Sequence, residues 1–298
     1  MTDTTGSAGS VPAGAGEGDM GLRIVPVPHP GPGGPRPGRT VRILSVAAPT
    51  IGVMCGRFVS SSPPDEIAAY FDVDSVPEQL LDRGPNYNTA PTTGVLVVYE
   101  DGSTRRLDAF HWGLVPSWAK DTKIGGRMIN ARAETVTTKP AFKRAFAGRR
   151  CIIPADGFYE WTTEPDQKKK QPYFIHRPDG EPYAFAGIWE RWKGPKGAAE
   201  EGTEAEPLRS CSIITTTANE PLSKLHDRRP VILPPDAWAT WLDPEQHDVD
   251  LLGQLLVPAP KELITYHAVS TEVNNARNKG EHLADQIDPA TGEPVAGR

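Results

Sequence analysis

Apolar and polar residues show no periodicity over residues 1–53, where Gly and Pro crowd stretches such as "PVPHPGPGGPRPGR". Such a segment cannot bury enough apolar surface to offset its ordering entropy, so we expect a disordered leader. Pattern begins at Met54. "SPPDEIAAYFDV" combines proline at a helix start, acids in the first turn and apolar residues at helical spacing, which predicts a helix. "GVLVVYE", "DG" and "STRRLDAFHW" predict two strands joined as a hairpin. "TTKPAFKRAFAG" predicts a short helix ended by Gly148, and "PPDAWATWLD" and "VDLLGQLL" predict two more. The β-branched and aromatic runs "RRCIIPADGFYEW", "QPYFIHRP", "YAFAGIWERW", "RSCSIITTT" and "LITYHAVS", each bounded by turn residues, predict strands. Many short, mostly antiparallel strands with a few peripheral helices, in no regular βαβ alternation, imply an α+β domain on a β-roll or barrel-like core. We place this domain at residues 54–285, with a solvated loop at "KGPKGAAEEGTEAEP" and a flexible tail over 286–298.

Composition narrows the class. No apolar run approaches the roughly 20 residues that a membrane span requires, and the start "MTDTTGSAGS" has neither a basic nor an apolar signal region. We therefore expect a cytoplasmic protein without a membrane partner. The three cysteines, Cys55, Cys151 and Cys211, form no CxxC, which argues against a disulfide framework and against structural zinc. Cys151 and Cys211 fall in β-like runs, where a small buried thiol is expected. The net charge of −6 speaks against nucleic acid until its distribution is considered. Acids concentrate in "GAAEEGTEAEP" and "WLDPEQHDVD", whereas Arg57, Arg127, Arg132, Arg149, Arg150, Arg228 and Arg229 gather around the candidate chemistry. A local basic groove is compatible with an acidic total.

Four stretches carry that chemistry. In "VMCGRFVS", Cys55 would become an N-terminal residue if the preceding chain were removed. It would then bear an α-amine titrating near 8, as well as a thiol. Such a 1,2-aminothiol condenses with an aldehyde to a Schiff base, and the sulfur then closes a thiazolidine. An internal cysteine has no free amine for this, and by itself Cys55 reads first as a small buried hydrophobe. Arg57 stands ready to lower the thiol pKa or to hold a phosphate. In "GGRMINARAET", Met128 and Ile129 suggest a strand that delivers Asn130, an amide able to orient a carbonyl or hydroxyl, with Arg132 and Glu134 behind it. In "PADGFYEWTT", Glu160 alternates with Tyr159 and Trp161, so the two rings share the face opposite to it. A carboxylate in such surroundings can serve as a general acid or base. In "LSKLHDRRPVIL", His226 precedes Asp227 and two arginines and can carry protons near neutral pH. Trp112 and Trp118 in "FHWGLVPSWAK" offer base stacking beside arginines, the usual means of holding single strands. Trp189, Trp238 and Trp241 are expected in the core.

Taken together, "MCGRF", "YNTAPT", "WGLVPSW", "INARAE", "ADGFYEW", "KQPYFI", "HDRRPVIL" and "VSTEVNNARN", in this order, resemble the SRAP family, whose name stands for SOS response-associated peptidase. The resemblance spans residues 54–285. It implies an abasic site processing protein of the DNA damage response that binds single-stranded DNA and links itself covalently to the lesion. It further implies Cys55 as the crosslinking residue and Asn130 as the group that orients the sugar or the amine. Glu160 would open the sugar ring and move protons, and His226 would act on the Schiff base and in reversal. Arg57, Arg132 and Arg228 fall at phosphate-gripping positions, and Trp118 at a base-stacking one. The implied protein is a monomer, cytoplasmic and associated with the nucleoid when DNA is damaged. It needs no metal and no organic cofactor. The family name carries a cysteine-type peptidase (hydrolase) activity, and the crosslinking chemistry allows a lyase-like side activity.

The leader departs from this pattern, because with residues 1–53 attached Cys55 has no free amine. We expect either that Met54 is the true initiator or that the leader is a propeptide. Three other readings stay open at this stage. One is an N-terminal-nucleophile amidohydrolase, another a thiol peptidase using Cys55, His226 and Glu160, and the third a plain single-strand-binding module.

Overall fold

A computed structural model describes residues 55–163, 170–195 and 206–295. The expected leader, most of the acidic loop between Lys193 and Pro207, and residues 296–298 lie outside the described residues. The strands are β1 (Phe58–Ser60), β2 (Asn86–Thr89), β3 (Gly94–Asp101), β4 (Thr104–Trp112), β5 (Asn130–Arg132) and β6 (Arg150–Ala155). They continue as β7 (Gly157–Thr162), β8 (Gln171–His176), β9 (Tyr183–Trp192), β10 (Leu208–Thr217), β11 (Arg228–Pro230) and β12 (Thr265–Ala268). The helices are α1 (Pro64–Tyr70), α2 (Glu78–Leu81), α3 (Lys143–Gly148), α4 (Trp238–Leu242) and α5 (Val249–Gln254).

The α+β expectation holds, and its β part closes on itself. Strands follow one another as β10-β4-β3-β6-β9, and β9 pairs back onto β10, so five strands form a barrel. Pairing is antiparallel except between β10 and β4. Both faces of the barrel strands are buried, which explains their nearly continuous apolar runs. Val95, Val97, Cys151, Ile153, Phe185, Trp189, Cys211 and Ile213 share one apolar cluster. The alternating Leu96, Val98, Ile152, Ala184, Ala186, Ile188 and Ile214 belong to another, which contains Ile67 and Phe71 from α1 and its edge, Phe146 from α3, and Trp238 and Trp241 from α4. The first cluster fills the barrel and the second lies under the helices. Crowding inside dictates Gly187, where a Cβ would stand 2.8 Å from both the Cys151 sulfur and Ile153 Cδ1. The second sheet runs β12-β8-β7-β1-β2.

Strand β10 organises the end of the barrel that carries the candidate chemistry. The chain leaves β4 at Gly113, whose N–H donates to Cys211 O at 2.9 Å. It returns at Ile129, whose carbonyl accepts from Ile213 N at 3.0 Å, and β5 then continues parallel to β10. Thus β4 and β5 lie end to end along one edge of β10, and the "WGLVPSW" excursion bulges between them. Gly113 makes the exit, with φ of +134° and the Gly125 carbonyl 2.7 Å from where a Cβ would sit. Along its other edge β10 also pairs with β11, Thr217 lying opposite Arg228.

Beyond residue 285 the expected tail is absent as far as Val295. Ile287 donates to Ala268 O, pairs with Pro294 and is buried, while Val295 N–H bonds back to Gln286 O. The buried side chain of Ile287, in an otherwise polar stretch, is the local reason that this turn stays attached.

Replacing Gly113 by Ala should cost about 2–3 kcal/mol in urea denaturation, since it meets both the left-handed backbone and the Gly125 carbonyl. Gly84→Ala, with nothing within 4 Å, should stay within about 0.5 kcal/mol of the parent.

Candidate active site

The site begins with a register. Strand β1 pairs antiparallel to β7 with Phe58 opposite Phe158, and Tyr159 N–H donates to Arg57 O at 3.0 Å. Running that register back from Phe58 brings Gly56 and Cys55 alongside Glu160 and Trp161. One carboxylate oxygen then takes two hydrogen bonds from the same residue. Glu160 Oε1 accepts from the Cys55 backbone nitrogen at 2.9 Å and from its sulfur at 3.0 Å. Cys55 is 3% exposed and Glu160 4% exposed. Burial pushes the Glu160 carboxyl above the usual carboxylate range, opposed first by the His226 charge and then by the bonds that Cys55 donates. Burial also raises the Cys55 thiol well above its ordinary value, and the Glu160 carboxylate raises it further. Arg229 and Arg228 pull the thiol back down. At rest the pair is therefore a protonated thiol against a carboxyl group that itself holds a proton more tightly than usual.

His226 follows the short 3-10 turn Leu222–Lys224 that leads into β11. Its Nδ1 accepts from the Arg228 N–H at 3.1 Å and lies 2.9 Å from Asp227 Oδ1. The first contact needs a bare Nδ1 and the second a protonated one, so the ring has a prepared partner in either protonation state. Asn130 occupies the first position of β5, half-buried, opposite Ile213. The structure thus joins Cys55 to Glu160 directly, sets His226 where its charge reaches Glu160, and places Asn130 on the neighbouring edge of β10.

The basic residues divide in their engagements. Arg132 is exposed at the end of β5. Arg228 forks onto the Glu134 carboxylate, with Nη2 2.9 Å from Oε2 and 2.6 Å from Thr215 O. Arg57 donates to Asn88 Oδ1 at 2.8 Å and Val273 O at 2.9 Å, which turns it towards the C-terminal strap and away from the thiol. Trp118 is 56% exposed, as a stacking surface requires. Trp112 corrects the expectation that it does the same. It is fully buried, donates Nε1–H to Ile129 O at 3.0 Å and packs edge-on to Phe58, because the turn at Gly113 comes after it and leaves it inside the barrel.

Other residues belong to the site without having been singled out. Asn88 is fully buried, and its amide nitrogen lies 3.1 Å from the carbonyls of Val273, Asn275 and Asn278, tying the strap to β2. Trp161 donates to Asn274 Oδ1 at 2.6 Å. Together with Gly56, Arg57 and Pro91, these two line a cleft of about 320 Å³ beside Cys55. The asparagine-rich run "VNNARN" was the only local hint. Among the described residues no group of three or more His, Cys, Asp or Glu side chains could hold a metal ion, and no helix is long and apolar enough to cross a membrane.

Comparison with known proteins identifies the family. The family model described as SOS response associated peptidase (SRAP) matches residues 54–276. The chain is 44% identical over 235 residues to the abasic site processing protein YoaM of Bacillus subtilis (strain 168), covering 78% of this chain and 98% of that one. It is 35% identical over 239 residues to the abasic site processing protein YedK of Escherichia coli (strain K12), covering 78% and 100%. To the abasic site processing protein HMCES of Xenopus tropicalis it is 33% identical over 270 residues, covering 76% of each. Among solved structures, a protein from Bacteroides thetaiotaomicron superposes with a TM-score of 0.68 at 26% identity, covering 78% of this chain and all of that one.

Glu160→Gln isolates the buried carboxyl. A folded pKa above the unfolded one adds stability that is full below the unfolded value and lost as pH rises through the folded one. The variant should therefore gain on the parent in denaturant midpoint as pH rises from about 4 towards neutrality. An unchanging difference across that range would show that the carboxyl is not perturbed.

Proposed function

The chain belongs to the SRAP family, and on that premise we propose that it processes abasic sites in single-stranded DNA by joining itself to the lesion through Cys55. The observation that carries this reading is the shared acceptor, because Glu160 Oε1 addresses both the nitrogen and the sulfur that the reaction uses. Residues 1–54 must first be removed, either by initiation at Met54 with loss of that methionine or by cleavage. The backbone at Cys55 is compatible with such removal. Its φ of +44° is a left-handed conformation costing an L-residue about 1–2 kcal/mol, and the torsion ceases to exist once the preceding peptide bond is gone.

In this reading the amine reacts first and the sulfur second. The freed α-amine attacks the aldehyde carbon of the ring-opened deoxyribose, and the resulting carbinolamine expels water to give an imine. Sulfur adds to the imine carbon while its proton passes to the nitrogen, closing a thiazolidine with net loss of one water. Glu160, 2.9 Å and 3.0 Å from the two nucleophiles, is placed to take a proton from one and return it to the other. His226, able to hold or release a proton on Nδ1, serves the leaving oxygen and the reverse reaction. Asn130 orients the sugar. The cleft beside Cys55 has a volume suited to a nucleoside-sized ligand, with Trp161 as an aromatic wall. Arg132 and Trp118, both exposed, serve the flanking phosphates and bases, joined by Arg57 and Arg228 as they share or exchange their present partners. In this reading the protein works as a monomer in the cytoplasm, at the nucleoid when DNA is damaged, and needs no cofactor.

Protein beginning at Cys55 should give a heat-stable adduct with a single strand bearing one abasic site, its intact mass equal to the sum of the two less one water. Chain retaining residues 1–54, and Cys55→Ala, should give none. Adduct from the chain with Met1 still attached would sink the proposal. Arg132→Ala should weaken strand binding roughly 3–10-fold at moderate salt and flatten the salt dependence by about 0.7 in log–log slope.

A further inference from the structure

Among the described residues two arginines are buried, and they are treated differently. Arg150, 2% exposed, has all three of its side-chain nitrogens engaged. Nε reaches Trp241 O at 2.8 Å, Nη1 reaches Phe146 O at 2.8 Å, and Nη2 binds the carbonyls of Asp243 and Gln246. These carbonyls end α3 and α4, so the cation sits where helix termini want one. Arg229, fully buried, has only Nη1 engaged, at 2.6 Å from Asn219 Oδ1 and 3.2 Å from Ala259 O. Among the described residues its Nε and Nη2 find no protein acceptor, and it forms no ion pair. A buried guanidinium without a carboxylate is costly, and an apolar residue of similar size is usually tolerated better in its place. Structure alone gives no reason for arginine here.

Chemistry supplies one. Arg229 and Arg228 alternate along β11, so that Arg228 turns out to Glu134 and Arg229 turns inward opposite Thr216. Ala259, whose carbonyl accepts from Arg229 Nη1, shares one buried cluster with Tyr183 and Cys55, the two ionisable side chains on which the Arg229 charge acts. Tyr183 is held as a neutral phenol, donating to Leu263 O at 2.9 Å, and burial raises its pKa. Cys55 remains, in the apolar cluster of the barrel end. We infer that Arg229 is the buried counter-charge for the Cys55 sulfur, a positioning residue that favours passage of the thiol proton to Glu160. In that transfer the S–H bond breaks, the O–H bond on Oε1 forms, and negative charge moves from carboxylate to sulfur, towards the guanidinium. The inference rests on the crosslinking role proposed for Cys55 but concerns only how its thiolate is reached. The charged and titratable groups bearing on the pair are Glu160, His226, Arg228 and Arg229.

The test follows iodoacetamide modification of Cys55 by peptide mass across neutral to alkaline pH, in the full chain. Arg229→Met should slow modification at neutral pH about ten-fold, one unit in apparent thiol acidity, and move the profile to higher pH. Arg229→Lys, which keeps the charge, should restore most of the rate, and Cys151 and Cys211 should be unaffected. Superimposable profiles for the parent and Arg229→Met overturn the inference. Removing an unpaired buried cation should also raise the melting temperature of Arg229→Met, and Arg229→Gln supplies the same comparison if that variant does not fold. Adduct formation on abasic DNA is scored separately. A moved profile with no adduct from any protein starting at Cys55 ends the crosslinking proposal and leaves the role of Arg229 standing, whereas an unmoved profile with normal adduct does the reverse.

Discussion

One carboxylate oxygen, sealed from solvent and shared by the nitrogen and sulfur of a single cysteine, is the constraint around which this structure is arranged. A carboxyl group in that position is expensive to ionise, and so is the thiol beside it. Both are kept within reach of ionisation by charges that arrive from elsewhere in the chain: His226 acting on Glu160, and Arg229 and Arg228 acting on Cys55. The arrangement keeps the thiol uncharged at rest and leaves a single short hydrogen bond between the sulfur and the carboxyl group.

Holding those groups in place requires two sheets and one long strand. The β1–β7 register delivers Cys55 to Glu160. Strand β10 pairs with β4 and β5 along one edge and with β9 and β11 along the other, so that Asn130, Arg132, Arg228 and the turn carrying His226 are fixed to the same strand. Closure of the barrel makes that fixation rigid, because β10 cannot shift without breaking pairings on both sides. The strap after β12 completes the cleft, tied down by the buried amide of Asn88 and by Lys279, which donates to Asn88 O.

The same closure explains why residues of one type have different fates. Trp112 ends β4 and Trp118 lies six positions on, in the proline-containing loop that follows, yet the first supports the barrel interior and the second faces solvent. Arg228 and Arg229 are adjacent, and strand alternation sends one to a surface carboxylate and the other into the core. Arg150 is buried to close two helices, whereas Arg229 is buried with only Nη1 engaged.

Much of this was legible in the order of residues. Apolar alternation and turn chemistry located the strands from Gly94 to Ala268 and the helices of the second half, since those signals depend only on near neighbours. Ordered motifs carried the family, and with it Cys55, Asn130, Glu160 and His226. Local pattern does not encode which strand edge meets which. Closure through the β9–β10 pairing, the parallel β4–β10 contact, and the burial of Asn88, Trp112 and Arg229 all follow from pairings far apart in the chain. The contact between residues 55 and 160 is of the same kind, set by sheet register across more than a hundred residues, and so tertiary structure alone decided it.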